Sequence, residues 1–275
     1  MQLSDFFINN PRVAVALSGG VDSSYLLYAA RAAGCDIHAY FIKTQFQPEF
    51  ELIDATQIAD SLGIPLTVGT LDVLRDPNVA QNPPDRCYHC KAALFTKLWE
   101  LARADGFSVL CDGTNADDED SDRPGIRAGR ELGVMSPLRD CALKKPNIRL
   151  RAKQAGLFTH DKPAYSCLAT RIPTGTEISE EVLTRIGRAE DVLFKIGFSD
   201  FRVRLIPPGG ARLQMPAGQW EKAASLRAEI LAALQPEFDI VALDLTVRDD
   251  GVSLNKFKQG LGNRRREERR SGAGN

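Results

Sequence analysis

Apolar positions along this chain fall into two regimes. Residues 12–17 (RVAVAL) form a short continuous apolar run, followed by SGGVDSS and then YLLYAARAAG, whose apolar positions recur at helical spacing. That predicts a strand, a Gly-rich turn and a helix ended by Gly34. A second strand is predicted over 36–42, a helix over 49–62 stopping at Gly63, and a third strand over 65–70. After a polar stretch with Asp76-Pro77 and Pro83-Pro84, the pattern predicts a helix over 88–104 and a fourth strand over 108–111. Strands alternating with helices imply an α/β domain, with a parallel sheet covered by helices on both faces. Residues 114–130 are polar and read as a long loop, and 146–157 read as a helix closing the first unit.

From about residue 177 the order becomes helix (179–196), strand (200–206), strand (211–215), helix (219–234) and strand (239–247). Adjacent strands of this kind belong to an α+β arrangement. The domains expected are therefore an α/β domain over 1–170 and a smaller α+β domain over 171–261. A charged tail over 262–275 has no apolar face and is expected to be disordered.

Composition narrows the function classes. With 35 Lys+Arg against 36 Asp+Glu the net charge is -1, which argues against a nucleic-acid partner held by a broad basic surface. No run of about 18 apolar residues appears, so no membrane helix is expected. The segment MQLSDFFINNPR lacks a basic region followed by a long apolar stretch, so a signal peptide is not expected and the location expected is cytoplasmic. In a reducing compartment six cysteines do not form a disulfide framework. They stand at 35, 87, 90, 111, 141 and 167, and of these Cys87 and Cys90 are closely paired.

Ser18-Gly19-Gly20-Val21-Asp22-Ser23-Ser24 is the sharpest signal in the first domain. Glycines after a buried strand let the backbone turn tightly and bring its N–H groups close to an anion. The next helix begins at the serines, so its positive dipole end faces the same place, and Ser18, Ser23 and Ser24 add hydroxyl donors. Neither Gly-Lys-Ser/Thr nor G-x-G-x-x-G is present, which excludes a Walker loop and the dinucleotide fingerprint. A turn whose glycines only relieve steric strain is the alternative, and the clustered serines and aspartate favour phosphate. The segment resembles the SGGxDS loop of the PP-loop ATP pyrophosphatase superfamily. That resemblance implies ATP bound at the C-terminal edge of the sheet and cleaved between the α- and β-phosphates. It also implies Mg²⁺ on the triphosphate, with Asp22 as the carboxylate near it.

Arg86-Cys87-Tyr88-His89-Cys90-Lys91 places two thiols at a spacing that can grip one metal centre, two ligands short of a zinc site. A third candidate is Cys167, in Ser166-Cys167-Leu168-Ala169-Thr170-Arg171. Three thiolates suit a 4Fe-4S cluster with one open iron; a lone Cys167 buried as a small hydrophobe is the alternative, and spacing alone leaves both open. Cys35, Cys111 and Cys141 lie on or near apolar runs and read as core.

Asp112-Gly113-Thr114-Asn115-Ala116-Asp117-Asp118, followed by Asp122-Arg123-Pro124-Gly125, resembles the LarE family of ATP-dependent sulfur transferases, as do both cysteine motifs and the extension Ile172-Pro173-Thr174-Gly175-Thr176. The resemblance implies adenylylation of a carboxylate of pyridinium-3,5-biscarboxylic acid mononucleotide and its conversion to a thiocarboxylate, a sulfur-insertion step toward the nickel-pincer nucleotide of lactate racemase. One branch sacrifices the sulfur of a single cysteine, at the position of Cys167. The other carries three cysteines and a 4Fe-4S cluster that takes sulfide from a donor, and with Cys87, Cys90 and Cys167 this chain groups with it. Cys167 and Asp22 are then the catalytic positions. The family also implies a homo-oligomer, trimer or hexamer.

A substrate with one phosphate and two carboxylates calls for arginines, whose fork suits both groups. Arg171 beside the cysteine loop, and Arg202 and Arg204 on one face of a strand, are the candidates, with Glu190 where the family has an acidic residue near its substrate. Gln214 stands where family members often have Glu, and Asp122 precedes Arg123 where Tyr is usual. Asp112, Asp117, Asp118 and Asp122 read either as a metal cluster or as a polar loop folded over ATP. Two other functions fit parts of the pattern: a tRNA thiolation enzyme of the same superfamily, which would need a basic RNA surface, and a non-catalytic nucleotide- and metal-binding protein.

Overall fold

The computed structural model describes residues 2–118 and 124–248. Asp122, Arg123 and the tail from 262 therefore lie outside the described residues. The chain divides into two compact units, one ending at Arg188 and the other beginning at Ala189. That division falls within a helix, whereas the sequence reading puts the boundary at 170/171.

In the first unit the elements run α1 (Leu3–Asn9), β1 (Arg12–Ala16), α2 (Val21–Ala32), β2 (Asp36–Lys43), α3 (Glu49–Leu62) and β3 (Leu66–Thr70). They continue through α4 (Arg86–Ala104), β4 (Leu110–Cys111), α5 (Pro124–Glu131), α6 (Lys145–Gln154) and α7 (Glu180–Lys195), which crosses into the second unit. The four strands are parallel, in the order β3-β2-β1-β4. Alternation along the strands feeds two cores. Val13, Val15, Ile37, Ala39 and Phe41 face one core with α2 and α3, while Ala14, Tyr40 and Ile42 face Phe95, Leu98 and Trp99 of α4.

This is the α/β sheet expected from the sequence, and its strand order decides where a ligand sits. From β1 the chain moves outward to β2 and β3, then returns to place β4 on the other side of β1. The loops after β1 and β4 diverge at that reversal and leave a crevice at the carboxyl ends of the strands. Two glycines let its walls meet. Gly19 has φ +72, and a Cβ there would lie 2.6 Å from the Glu51 carbonyl oxygen. A Cβ on Gly113 would lie 2.7 Å from the Ser23 nitrogen.

Two local expectations are corrected. Residues 124–131 form helix α5 rather than continuing the loop expected over 114–130. Its apolar face is small, and the helix owes its place to packing on α4: Gly129 sits under the Phe95 ring, and the Arg127 guanidinium lies 4.3 Å from the Tyr88 ring centroid. The helix expected over 219–234 is broken at Leu226 into α8 (Trp220–Ser225) and α9 (Arg227–Leu234).

The second unit holds a three-stranded sheet of β5 (Arg202–Ile206), β6 (Gly210–Gln214) and β7 (Val241–Leu243). β5 and β6 pair antiparallel, and β6 and β7 parallel. No described helix is long and apolar enough to cross a membrane.

Candidate active site

At the end of β1 the Gly-rich turn is tied by its own serines. The Ser23 hydroxyl accepts from the Ser18 nitrogen at 3.1 Å and lies 3.0 Å from the Ser18 hydroxyl. Ser24 is fully buried and donates to the Gly20 carbonyl at 2.8 Å. Ser18, Gly20, Asp22 and Ser23 line a cavity of about 230 Å³, which runs past Glu51 and Lys91 to an apolar end at Leu94, Phe95 and Leu98. Gly19 and Ser24 shape the turn from behind. A polar end at a helix N-terminus and an apolar slot beyond it suit the phosphates and base of a nucleotide.

Asp22 is ion-paired with Lys145, from the start of α6. Burial pushes its carboxyl above the usual range against the pull of Lys145, and its Oδ1 is buried without a hydrogen-bond partner. An acceptor so placed fits a hard cation. Lys162 donates to the Gly19 carbonyl at 3.2 Å and pairs with Asp54. Arg149 of α6 fixes that segment by donating to the carbonyls of His160 and Lys162, both at 2.7 Å. One helix thus brings two cations to the phosphate turn. Sequence reasoning missed Lys145 and Lys162, because neither sits in a local pattern and only the fold carries them there. Glu51 was missed too; burial raises its carboxyl to about 7 despite Lys162, Lys91, Lys43 and Arg171 around it.

Asp112, Asp117 and Asp118 serve the loop after β4. Asp112 accepts from Thr114 and Ser136, Asp117 from the Lys145 nitrogen, and Asp118 from the Asn115 nitrogen. The polar-loop alternative describes them.

Helix α4 starts at Arg86, two residues earlier than expected from sequence, so both Cys87 and Cys90 are helical and their i,i+3 spacing puts them on one face. His89 turns away to Asp85 at 3.3 Å. The Cys167 loop is brought to them by pairing between 77–82 and 172–178. The Asn82 side chain donates to the Pro173 carbonyl, the Gly175 nitrogen to the Asn82 carbonyl, and the Ile178 nitrogen to the Ala80 carbonyl. The Leu168 nitrogen then donates to the Phe46 carbonyl at 2.9 Å. Cys87, Cys90 and Cys167 consequently line one cavity of about 490 Å³. Burial, with Cys167 and Cys87 nearby, pushes the Cys90 thiol up to about 11. Among the described residues no group of three or more His, Cys, Asp or Glu is gathered around a single-ion site. The all-sulfur donor set of Cys87, Cys90 and Cys167 suits an iron–sulfur cluster.

The two cavities adjoin. Gln47, Lys91, Leu94, Phe95, Asp112 and Thr114 line both.

Arg171 is 1% exposed, and its Nη1 donates to the Ser166 carbonyl and hydroxyl at 2.8 Å and to the Thr170 hydroxyl at 2.9 Å. Its guanidinium also stacks 4.5 Å from the Tyr165 ring centroid, so it shapes the cysteine loop. In the second unit, buried Glu190 accepts from the Val203 nitrogen at 2.9 Å. Arg202 donates to the Phe201 carbonyl at 2.6 Å, and Arg204 to Gln214 Oε1 at 2.8 Å. Alternation along β5 puts the two arginines on one face.

Comparison with known proteins bears on this site. A family model described as asparagine synthase matches residues 8–118, the part that carries the phosphate turn and the CxxC. An uncharacterized protein of Synechocystis sp. is 38% identical over 79% of this chain and 81% of its own length. The pyridinium-3,5-bisthiocarboxylic acid mononucleotide synthase of Lactiplantibacillus plantarum is 32% identical over 74% of this chain and 75% of its own. The chain belongs to the LarE family of ATP-using sulfurtransferases. The tRNA-specific 2-thiouridylase MnmA of Pseudothermotoga lettingae is more distant, at 28% identity over 60% of this chain and 58% of its own. Family membership supports ATP binding by this chain.

Proposed function

We propose that this enzyme adenylylates a carboxylate of pyridinium-3,5-biscarboxylic acid mononucleotide and replaces its activated oxygen by sulfur, a step of nickel-pincer cofactor biosynthesis. The observation that carries the reading is the shared wall between the nucleotide cavity and the three-thiol cavity. An acyl adenylate made in the first meets sulfur held in the second without crossing bulk water.

In the first step a carboxylate oxygen attacks the α-phosphorus and pyrophosphate leaves. The backbone of Gly20 and the hydroxyls of Ser18 and Ser23 hold the phosphates, and Asp22 would hold Mg²⁺, which would supply charge neutralisation on the triphosphate. Lys145 keeps Asp22 oriented, and Lys162 holds the turn at Gly19. In the second step hydrosulfide attacks the acyl carbon, AMP leaves with the former carboxylate oxygen, and a proton is released. Leu94 and Phe95 line both cavities and limit water, which would otherwise hydrolyse the anhydride.

Cys87, Cys90 and Cys167 are the residues to hold a 4Fe-4S cluster, which when bound supplies an open coordination site for sulfide. Arg202 and Arg204 form the candidate site for the substrate's anionic groups, Glu190 is the acidic residue beside them, and Arg171 keeps the Cys167 loop in shape. The reading expects a cytoplasmic homo-oligomer supplied with sulfide by a donor.

The test is pyrophosphate release from ATP with this mononucleotide, with mass spectrometry of the product. Release that depends on the mononucleotide, with oxygen exchanged for sulfur when sodium sulfide is present, is expected. Release without any sulfur-containing product would refute the transfer step.

A further inference from the structure

Arg86 opens helix α4 and is 7% exposed. A buried guanidinium normally faces a carboxylate, since an uncompensated charge in a low-dielectric site is costly. None of the ion pairs in the described residues includes Arg86. Its acceptors are sulfur atoms: Nη2 lies 3.4 Å from Cys87 Sγ, and Nη1 lies 3.9 Å from Cys167 Sγ. The Phe46 ring centroid is 5.7 Å from its central carbon, so it also rests near an aromatic face.

Among the described residues the cavity it enters has Lys91 as a second cation, and its carboxylates, Asp112 and Asp118, accept from the loop after β4. The remaining wall includes Phe46, Leu94, Phe95 and Ile126. This is a poor phosphate site: a dianion needs several converging N–H donors, and aromatic and aliphatic walls provide none. A large, polarisable, weakly hydrated monoanion suits it better. Such an ion gains from one guanidinium and loses little on contact with rings and thiols.

We propose that Arg86 makes the three-cysteine cavity a receptor for a soft sulfur monoanion, hydrosulfide, serving as its counter-ion while it waits beside the nucleotide pocket. The inference rests on the sulfur-transfer reading for the identity of the anion, and on the buried, carboxylate-free guanidinium for its existence. Arg86 is a positioning residue for the incoming sulfur, distinct from the two thiols it touches, those of Cys87 and Cys167.

Iodide, a soft monoanion that scatters anomalously, is the probe. Crystals of the full chain soaked in sodium iodide are expected to show an anomalous peak against the Arg86 guanidinium. The peak should persist in Arg86→Lys and vanish in Arg86→Gln, whose folding is checked by circular dichroism. On anaerobically reconstituted protein, sodium sulfide titrated by electron paramagnetic resonance should bind about tenfold or more weakly to Arg86→Gln than to wild type. No iodide peak in the wild-type cavity, or one that survives Arg86→Gln, overturns the proposal whatever the variant's activity. If the wild type makes the thiocarboxylate but takes no iodide at Arg86, this inference fails alone. If iodide binds there but the mononucleotide drives no pyrophosphate release, the functional reading fails and the anion site stands.

Discussion

Replacing Glu51 by glutamine should stabilise this protein, and the gain should grow with pH. Glu51 sits in the first turn of α3 on the wall of the nucleotide cavity, where burial raises its carboxyl from 4.5 to about 7. The folded chain therefore keeps a proton that the unfolded chain releases between pH 4.5 and about 7. Stability falls through that window as pH rises, because the unfolded state binds fewer protons there. The difference in proton affinity corresponds to about 3 kcal/mol, an upper bound that solvent in the open cavity lowers. Glutamine mimics the protonated carboxyl and pays no such penalty. Urea unfolding of both proteins at fixed ionic strength from pH 4.5 to 8 would measure it. The two curves should nearly coincide at the acid end and separate by up to about 3 kcal/mol above pH 7, with the variant more stable. A gap that does not change with pH, or a wild type more stable than the variant at pH 8, would refute the argument that burial outweighs the four surrounding cations.

Other outcomes follow from the same site. Gly19→Ala places a methyl 2.6 Å from the Glu51 carbonyl at a positive φ, so it should cost about 2 kcal/mol or more and abolish the thermal stabilisation that ATP gives the wild type. Lys145→Met removes the partner of Asp22 and should slow pyrophosphate release about tenfold or more; an unchanged rate would show that the pair is only structural. Cys167→Ala should retain mononucleotide-dependent pyrophosphate release while losing the thiocarboxylate product, read by mass spectrometry on one reaction mixture.

Much of the first unit was legible because its signals are local. The valine-rich run before the Gly-rich turn, and the helix over 49–62 with Gly63 at φ +60 behind it, each need only near neighbours to be read. Helix α5 was not legible because its own apolar face is thin, and the surface that makes it a helix belongs to α4. The site divides in the same way. The phosphate turn and the three cysteines announce themselves by type and spacing. Lys145, Lys162 and Glu51 do not, because their chemistry arises from where α3, α6 and the segment after α6 pass the turn. Arg86 lies inside a recognised motif, yet its burial beside two sulfurs depends on the Cys167 loop folding back through Asn82. Arg171 is the reverse case: its type suggests an anion ligand, while the fold uses at least one of its nitrogens on its own loop.

The two edges of the parallel sheet also differ in how they meet other molecules. Strand β4 is two residues long and is followed across a single bridge by Met135, so it offers few free backbone groups to a foreign strand. The opposite edge, β3, is five residues long, and its Val68 is 45% exposed. Among the described residues nothing pairs with its outer side. Intermolecular strand addition, and hence slow aggregation on concentration, has its template there rather than beside the catalytic crevice. A lysine at position 68 would blunt that edge and leave the nucleotide cavity, which opens between β1 and β4, untouched.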